Sequence, residues 1–432
     1  MIITKRLPFK NLSRESWQNL IIIVILFLIV LSFVVLFINS EMCEILGVDY
    51  CAFWSGGRVM NERSIADVYN LSVLTHYQQK TYTLANISPT SIEVFPLPYL
   101  PVFIMPFSLL SLIHLPYSYL VWTFINLIGF FLYLQFFTRK LIGRSLSIRL
   151  GFLILLSLPM ITNVREGQLN IWLGICAGEF LRAFLSGKHY AAGLWLGGWL
   201  LKPQLLVVMI PFLIVRRSFK VFLGFITAAF ALVLVSLGLI GFDGFFNLAN
   251  ILLMSSEGNA ASYTQFMMNW RMVGWHLASV TTSSIGLALS IIGSIITIGA
   301  SLFFFSKPVN RNPIKTALAF LGISAATTVA TWHVHIHTAI ILLPPMIYLL
   351  MKNHFNKNIF LTWVILPTSA MLLSYILLIL IEVGLIFTSI TDSTLIRAFG
   401  GVNMLIFNLL IFGWAIMKFT HLREGAAAGL SN

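Results

Sequence analysis

The sequence predicts an all-α membrane protein whose helices cross a bilayer many times. Of its 432 residues, 58% are hydrophobic and only 9% are charged, whereas a soluble domain carries about 25% charged residues. The apolar runs are continuous and long, as in residues 21–37 and 221–240. Runs of about 20 residues match a helix across a bilayer, whereas barrel strands would alternate apolar and polar residues. We therefore expect about 11 to 13 spans in one domain, residues 1–432.

The basic residues lie in short clusters between the apolar runs. The net charge is +13, but the clusters form no patch interleaved with aromatic residues, so we expect no nucleic-acid partner. Clusters of this kind mark cytoplasmic segments. Residues 1–19 are therefore predicted to be cytoplasmic, with the first span at residues 20–37. In the second half every cluster then falls inside: Arg216, Arg217 and Lys220; Lys307, Arg311 and Lys315; Lys352 and Lys357; Lys418 and Arg423.

Residues 41–95 form the longest polar stretch and are predicted to be the first extracytoplasmic loop. Aromatic and charged residues alternate irregularly there, which favours short helices lying along the membrane surface. The next apolar segment, residues 95–113, contains four prolines and is predicted to be an irregular, re-entrant or incomplete helix. The small, polar C-terminal residues 424–432 are predicted to be disordered.

The three cysteines show no metal-binding spacing. Cys43 and Cys51 fall in the same predicted outer loop, where they form either a disulfide or two unpaired thiols. Cys176 lies in an apolar run, where packing is the simplest role.

Asp49 is the first candidate catalytic residue. It follows the first apolar run by about a dozen residues and precedes the aromatic pair Phe53-Trp54. A carboxylate on the outer side can act as general base toward an acceptor hydroxyl. The alternative is a solvated loop aspartate.

Residues 165–170 form a polar island between two apolar runs. Its glycine permits close approach, and Arg165, Gln168 and Asn170 offer hydrogen-bonding groups to a sugar or phosphate. The alternative is a short turn between two helices.

Lys202 interrupts an otherwise apolar stretch, in the step Lys202-Pro203-Gln204. A lysine at membrane depth needs an anionic partner, and a phosphate suits its compact ammonium group. The alternative is a side chain that snorkels to the nearest interface.

Three histidines lie at the outer end of a predicted span. If this segment were helical, His333 and His337 would be four residues apart and share a face. They can donate to a phosphate or diphosphate, which we favour, with His337 ahead of His333 and His335. A metal site would need further ligands, and a purely structural role is the third alternative.

These polar motifs follow one another over most of the chain, from about residue 48 to residue 345. In order they are Asp49-Tyr50, Phe53-Trp54, Val68-Tyr69-Asn70, Phe95-Pro96-Leu97-Pro98-Tyr99, Gly167-Gln168-Leu169-Asn170, Lys202-Pro203 and the turn from His333 to Pro345. The chain thereby resembles the bacterial polyprenyl-phosphate-mannose-dependent glycosyltransferases of the GT-C class, family 87. It departs from that pattern in the proline segment, where the second proline is displaced.

The resemblance implies a GT-C fold and an inverting sugar transfer on the extracytoplasmic side of the cell membrane. The donor would be a polyprenyl-phosphate sugar, with mannose as the family default, and the acceptor a lipid or a glycan. Asp49 would be the general base, and Lys202 with one histidine would neutralise the leaving lipid phosphate. The family requires neither a metal nor another cofactor.

Two other functions fit a polytopic chain. A transporter or lipid flippase would explain the many spans and the intramembrane lysine, but it predicts internal repeats, which the sequence lacks. A structural or assembly protein would use the long outer loop as a docking surface, and it gives no reason for Asp49, Lys202 and the histidines.

Overall fold

The computed structural model describes residue 43 and residues 47–85, 94–257, 263–306, 312–382 and 398–428. Within these ranges the chain is helical, and its only sheet-like feature is an isolated bridge between Met267 and His335. The predicted cytoplasmic N-terminus, residues 1–19, and first span, residues 20–37, lie outside the described residues. The last helix ends at Ala428, inside the segment that the sequence predicts to be disordered.

The α-helices are, in chain order, α1 (Val48–Glu62), α2 (Leu71–Leu84), α3 (Pro101–Ile104), α4 (Pro106–Leu110), α5 (Leu115–Ile142), α6 (Ile148–Leu155), α7 (Leu158–Glu166), α8 (Asn170–Leu185), α9 (His189–Leu196), α10 (Leu206–Val215), α11 (Phe219–Glu257), α12 (Trp270–Val280), α13 (Ser283–Phe305), α14 (Pro313–Ala330), α15 (Leu343–Met351), α16 (Lys357–Glu382) and α17 (Phe399–Ala428). Short 3₁₀ helices lie at Ala66–Tyr69, Gly197–Leu201, Pro203–Leu205, Thr264–Phe266 and Ile336–Leu342.

Six of the described helices are long and apolar enough to cross a membrane: α5, α11, α13, α14, α16 and α17. A seventh crossing is possible if α6 and α7 form one broken span, since the two are bent by 58° at their junction. The prediction of a multi-pass helical protein is confirmed, whereas the predicted number of 11 to 13 spans is not. This count covers the described residues alone, so the predicted first span at residues 20–37 is not part of it, and it leaves out shorter apolar helices. The 3₁₀ segment Ile336–Leu342 runs into α15, and the pair extends roughly 27 Å, close to a bilayer core.

The proline-rich residues 95–113 do not form a span. They contain only the short helices α3 and α4, each of which begins at a proline. Proline fixes the backbone of a first helical turn but donates no hydrogen bond, so it favours helix starts and breaks continuous helices. The chain then enters the long helix α5, which ends beside Arg139 and Lys140. With α5 as the one candidate span between them, the predicted outer loop and this basic cluster would lie on opposite sides, as the positive-inside rule predicts.

Two α-helices, α1 and α2, occupy the described part of the predicted outer loop. Cys43 and Cys51 form a disulfide, which ties the chain before α1 to the second turn of that helix. Ser55 of α1 donates to Thr81 of α2 at 2.8 Å in the buried contact between them. Their position along the membrane surface stays a prediction.

Helix α14 lies at the centre of the bundle, and its residues from Ala317 onward are buried. It packs against α13, α17 and α10. Four short pieces of chain meet at its C-terminal end: the start of α1, the turn between α7 and α8, the junction of two 3₁₀ helices at Lys202, and residues 331–342. These four pieces carry the polar side chains singled out in the sequence.

Candidate active site

The turn between α7 and α8 presents the polar island. Gly167 ends α7 in the left-handed conformation, with φ of +71°, which glycine adopts without strain. A Cβ atom at Gly167 would lie 2.4 Å from Cβ of Tyr50, so this turn touches α1 directly. Trp122 of α5 donates from its indole nitrogen to the Gly167 carbonyl at 3.0 Å. Backbone and packing thus fix where the side chains on either side of Gly167 point.

Asp49 lies in the first turn of α1 and is only 7% exposed. Its carboxylate accepts a short hydrogen bond from the side-chain amide of Gln168. The start of α1 is also joined to α7 through the backbone, because the Gly47 amide donates to the Arg165 carbonyl at 2.6 Å. Asn170 in turn contacts Gln168 through its amide, at 3.4 Å. Residues more than a hundred positions apart in sequence therefore form one buried polar group.

Lys202 belongs to a second chain of contacts beside the first. It lies between two 3₁₀ helices, is 8% exposed, and places its Nζ 3.1 Å from Nε2 of His337. The other ring nitrogen of His337, Nδ1, lies 3.0 Å from Oε2 of Glu166. Arg165 pairs with the same carboxylate, with Nη2 2.6 Å from Oε1, and it also donates to the Tyr375 hydroxyl in α16. The result is a row of four side chains in contact: the Arg165 cation, the Glu166 carboxylate, the His337 imidazole and the Lys202 cation.

His333 stands apart from this row. The segment around it is not helical, so the expected shared helix face of His333 and His337 does not form: His335 makes an isolated bridge and His337 lies in a 3₁₀ helix. The imidazoles instead contact one another in sequence, with ring centroids of His333 and His335 5.0 Å apart and those of His335 and His337 5.7 Å apart. The Gln204 amide donates to the backbone carbonyl of His333 at 3.3 Å.

Burial shifts the acid–base properties of the two central groups in opposite senses. Desolvation, with the nearby Glu166 charge, raises the pKa of Asp49 to about 7, against the lowering effects of Gln168 and Lys202. Desolvation also lowers the pKa of Lys202 to about 8, although the charges of Asp49 and Glu166 favour its protonated form. A carboxyl group with a pKa near neutrality suits a general base, and a lysine that is still cationic at neutral pH can bind an anion.

Several buried polar atoms around this cluster have no hydrogen-bond partner among the described residues. They include Asn170 Oδ1, His333 Nδ1, Thr338 Oγ1 and Arg165 Nε. Buried polar atoms are nearly always satisfied in folded proteins, so a concentration of unsatisfied ones fits a place where a polar ligand binds. No group of three His, Cys, Asp or Glu side chains in the described part of the chain is arranged to hold a metal ion.

The structure therefore brings together six of the seven residues that the sequence singled out, in two adjoining groups. Asp49, Gln168 and Asn170 form the first, and Arg165, Lys202 and His337 the second. His333 lies next to them without a side-chain hydrogen bond from the described residues.

Glu166 is the residue that sequence reasoning missed. It lies in the polar island of residues 165–170, but sequence reasoning assigned it no role of its own. The available signal was that the chain has only 14 acidic residues and that this one stands next to a basic residue. Ionisable side chains within the membrane cost free energy and usually have a function.

Comparison with known protein families identifies the chain. A family model described as glycosyltransferase family 87 matches residues 97–331, which is more than half of the chain. The protein belongs to glycosyltransferase family 87. Membership of the family makes it a membrane glycosyltransferase, which takes a sugar donor and an acceptor. No curated protein and no solved structure matches the chain.

The family 87 match covers some of the cluster and stops short of the rest. Arg165, Glu166, Gln168 and Lys202 lie inside the matched residues, whereas Asp49 precedes them. His333 and His337 follow the matched stretch by a few residues. The roles of the three residues outside it therefore rest on their contacts with residues inside it.

Proposed function

We propose that the protein transfers a hexose, mannose by family default, from a polyprenyl-phosphate donor to a lipid or glycan acceptor, with inversion at the anomeric carbon. The observation that carries the proposal is a buried carboxylate, Asp49, and a buried lysine, Lys202, whose charges interact. Asp49 supplies a base for the acceptor, and Lys202 supplies a cation for the leaving phosphate. Both groups lie in one polar cluster at the end of the bundle core.

In the proposed step the acceptor oxygen attacks the anomeric carbon while the bond from that carbon to the phosphate oxygen breaks. The acceptor proton passes to the Asp49 carboxylate. Gln168 holds this carboxylate by a hydrogen bond, which fixes its orientation toward the acceptor. Single displacement of this kind inverts the anomeric configuration.

The leaving group is a lipid phosphate, whose negative charge grows as the glycosidic bond breaks. A preorganised cation in a site with little water stabilises such charge far better than one in bulk solvent. Lys202 is this cation, with His337 bonded to it. Arg165, Asn170 and His333 each carry a buried polar atom without a hydrogen-bond partner among the described residues, which suits the remaining phosphate and sugar oxygens.

The disulfide supports an extracytoplasmic location for the site. Disulfides persist in oxidising compartments and are rare in the cytosol. Cys51 lies two residues after Asp49 in α1 and is bonded to Cys43. A cell-membrane enzyme with its catalytic cluster on the outer side uses a lipid-linked donor, because nucleotide sugars are cytosolic.

A donor comparison tests the proposal. The purified protein in nanodiscs is given polyprenyl-phosphate mannose, polyprenyl-phosphate glucose or GDP-mannose, with a lipid and glycan extract of the producing cells as acceptor. We expect acceptors that gain one hexose mass only with a polyprenyl-phosphate donor, and an α-linked product from a β-linked donor. Transfer from GDP-mannose alone, or retention of configuration, would contradict the proposal.

Mass analysis of the lipids and glycans of a deletion strain identifies the natural acceptor.

The family match favours this enzyme over the transporter or flippase that the sequence also allowed. A flippase would move a polyprenyl-phosphate sugar across the bilayer of liposomes that contain only the purified protein, without forming a new glycosidic bond.

A further inference from the structure

Glu166 lies next to the proposed phosphate site, with its side chain 22% exposed, and has no role in the transfer step. Its two carboxylate oxygens contact different partners: Oε1 lies 2.6 Å from Arg165 Nη2, and Oε2 lies 3.0 Å from His337 Nδ1. His337 is 3% exposed and bridges Glu166 to Lys202. The three residues come from α7, a 3₁₀ segment and the junction at Lys202, so the row exists only in the folded chain.

The chemistry of the three side chains fixes the protons in this row. An ionised carboxylate can only accept hydrogen bonds, and a lysine ammonium can only donate them. With Glu166 paired to Arg165 as a carboxylate, Nδ1 of His337 must carry the proton that Glu166 accepts. Nε2 is then bare, and it accepts a hydrogen bond from the Lys202 ammonium at 3.1 Å.

We infer that Glu166 is a positioning residue, which fixes the tautomer of His337 so that His337 holds the Lys202 ammonium toward the lipid phosphate. The inference rests on the proposed function, since it assigns Lys202 to that phosphate. In this arrangement His337 acts through Lys202, because its only lone pair on Nε2 is directed at the ammonium. A carboxylate that orients a histidine in this way is common behind functional imidazoles.

The alternative tautomer shows why the carboxylate matters. With the proton on Nε2, the imidazole would present an N–H group to the ammonium, and two donors would face each other across 3.1 Å. Lys202 would turn away, and a flexible four-carbon side chain has other rotamers to adopt. Glutamine at position 166 permits this tautomer, because its amide can donate to Nδ1.

The test measures binding of polyprenyl phosphate, the sugar-free product, to variants of the full-length protein in nanodiscs. We expect Glu166→Gln to weaken binding about 10-fold or more, in the range of second-sphere substitutions. Glu179→Gln is the matched control. Glu179 is likewise paired with a nearby arginine, Arg182, at 2.5 Å, and it is more fully buried than Glu166, but it lies farther along α8. It should bind as the wild type does.

A double-mutant cycle separates positioning from general structural support. If Glu166 acts through Lys202, Glu166→Gln costs nothing further in a Lys202→Met background, and the double variant binds like Lys202→Met alone. Additive losses, or wild-type binding by Glu166→Gln, would overturn the inference while leaving the phosphate role of Lys202 intact. Wild-type binding by Lys202→Met would instead overturn that role, and the inference with it.

Discussion

At the scale of single residues, Asp49 is held between opposing influences. Burial and the charge of Glu166 disfavour its ionised form, whereas the hydrogen bond from Gln168 and the charge of Lys202 favour it. The balance leaves a pKa of about 7, so the group can take up a proton during the reaction and release it afterwards. A solvated loop aspartate, with a pKa near 4, would be a far weaker base.

These shifts predict the dependence of kcat/KM on pH. Below about pH 7 the Asp49 carboxylate becomes protonated and cannot accept the acceptor's proton, so kcat/KM rises with pH through this range. Above about pH 8 Lys202 loses its proton and the phosphate loses its cation, so kcat/KM falls. We expect a bell-shaped profile. Lys202→Met should lose the alkaline limb and shift the acidic limb to higher pH, because the Lys202 charge lowers the pKa of Asp49. A flat profile over this whole range would contradict both assignments.

The sequence predicted several of these residues but not their partners. Asp49, Lys202 and the Gly-Gln-x-Asn step could be recognised because polar groups in an apolar chain are costly and few. The contact of Gln168 with Asp49, and that of Glu166 with His337, join residues 119 and 171 positions apart. No local pattern encodes contacts over such separations, since they depend on how the helices pack.

At the scale of elements, the turn between α7 and α8 organises the site. It is short, its central glycine is left-handed, and residues of α1 and α5 contact it. Glu166 and Gln168 flank this glycine and face different partners. A change in the path of the turn would therefore displace both the base and the row of residues leading to Lys202.

Gly167→Ala tests this dependence. An alanine at Gly167 has an unfavourable φ, and its Cβ would collide with Tyr50 at 2.4 Å, so the turn must shift. We expect turnover to fall on the order of 10²-fold, as misplacement by about 1 Å can do. Gly187→Ala is the control, because Gly187 has nearly the same φ of +73° with nothing within 4 Å. It should keep wild-type turnover with slightly lower thermal stability, and an equal loss in both variants would refute the role of the turn.

The histidine segment shows where a pattern in the sequence misleads. A spacing of four residues suggested one helix face, but residues 331–335 are irregular and are tied to Met267 and Met268 by backbone hydrogen bonds. The three rings therefore lie side by side along the chain. Only His337, which enters the 3₁₀ helix, turns toward Lys202.

At the scale of the whole molecule, composition was sufficient for the fold class and insufficient for the span count. The shortage of charged residues leaves helices as the solution for a lipid-exposed chain. The predicted 11 to 13 spans are not confirmed, since the described residues contain six helices long enough to cross, or seven with the bent pair α6–α7. Other apolar segments of the described chain are short, as in α3 and α4. An apolar run in the sequence does not show whether such a segment crosses the membrane, because packing against other helices stabilises short and bent helices that the run alone does not predict.

The topology that follows from the basic clusters can be measured by cysteine labelling. In a Cys176→Ala background, the exposed positions Gln79 in α2 and Lys352 after α15 are replaced singly by cysteine. We expect an impermeant maleimide to label Gln79→Cys in intact cells and Lys352→Cys only after permeabilisation. The reverse pattern would place α1, and Asp49 with it, on the cytoplasmic side.

The central claim is that Asp49 is the general base of a sugar transfer, and its most direct test is the turnover of a polyprenyl-phosphate sugar by Asp49→Asn in nanodiscs. Asparagine keeps the size of the side chain and removes the base, and general-base catalysis contributes about 10² to 10⁴ in rate. We predict a loss of that order with polyprenyl-phosphate binding nearly intact. Asp67→Asn and Asp243→Asn, which change aspartates outside the cluster, should keep their turnover. Near wild-type turnover by Asp49→Asn would contradict the account.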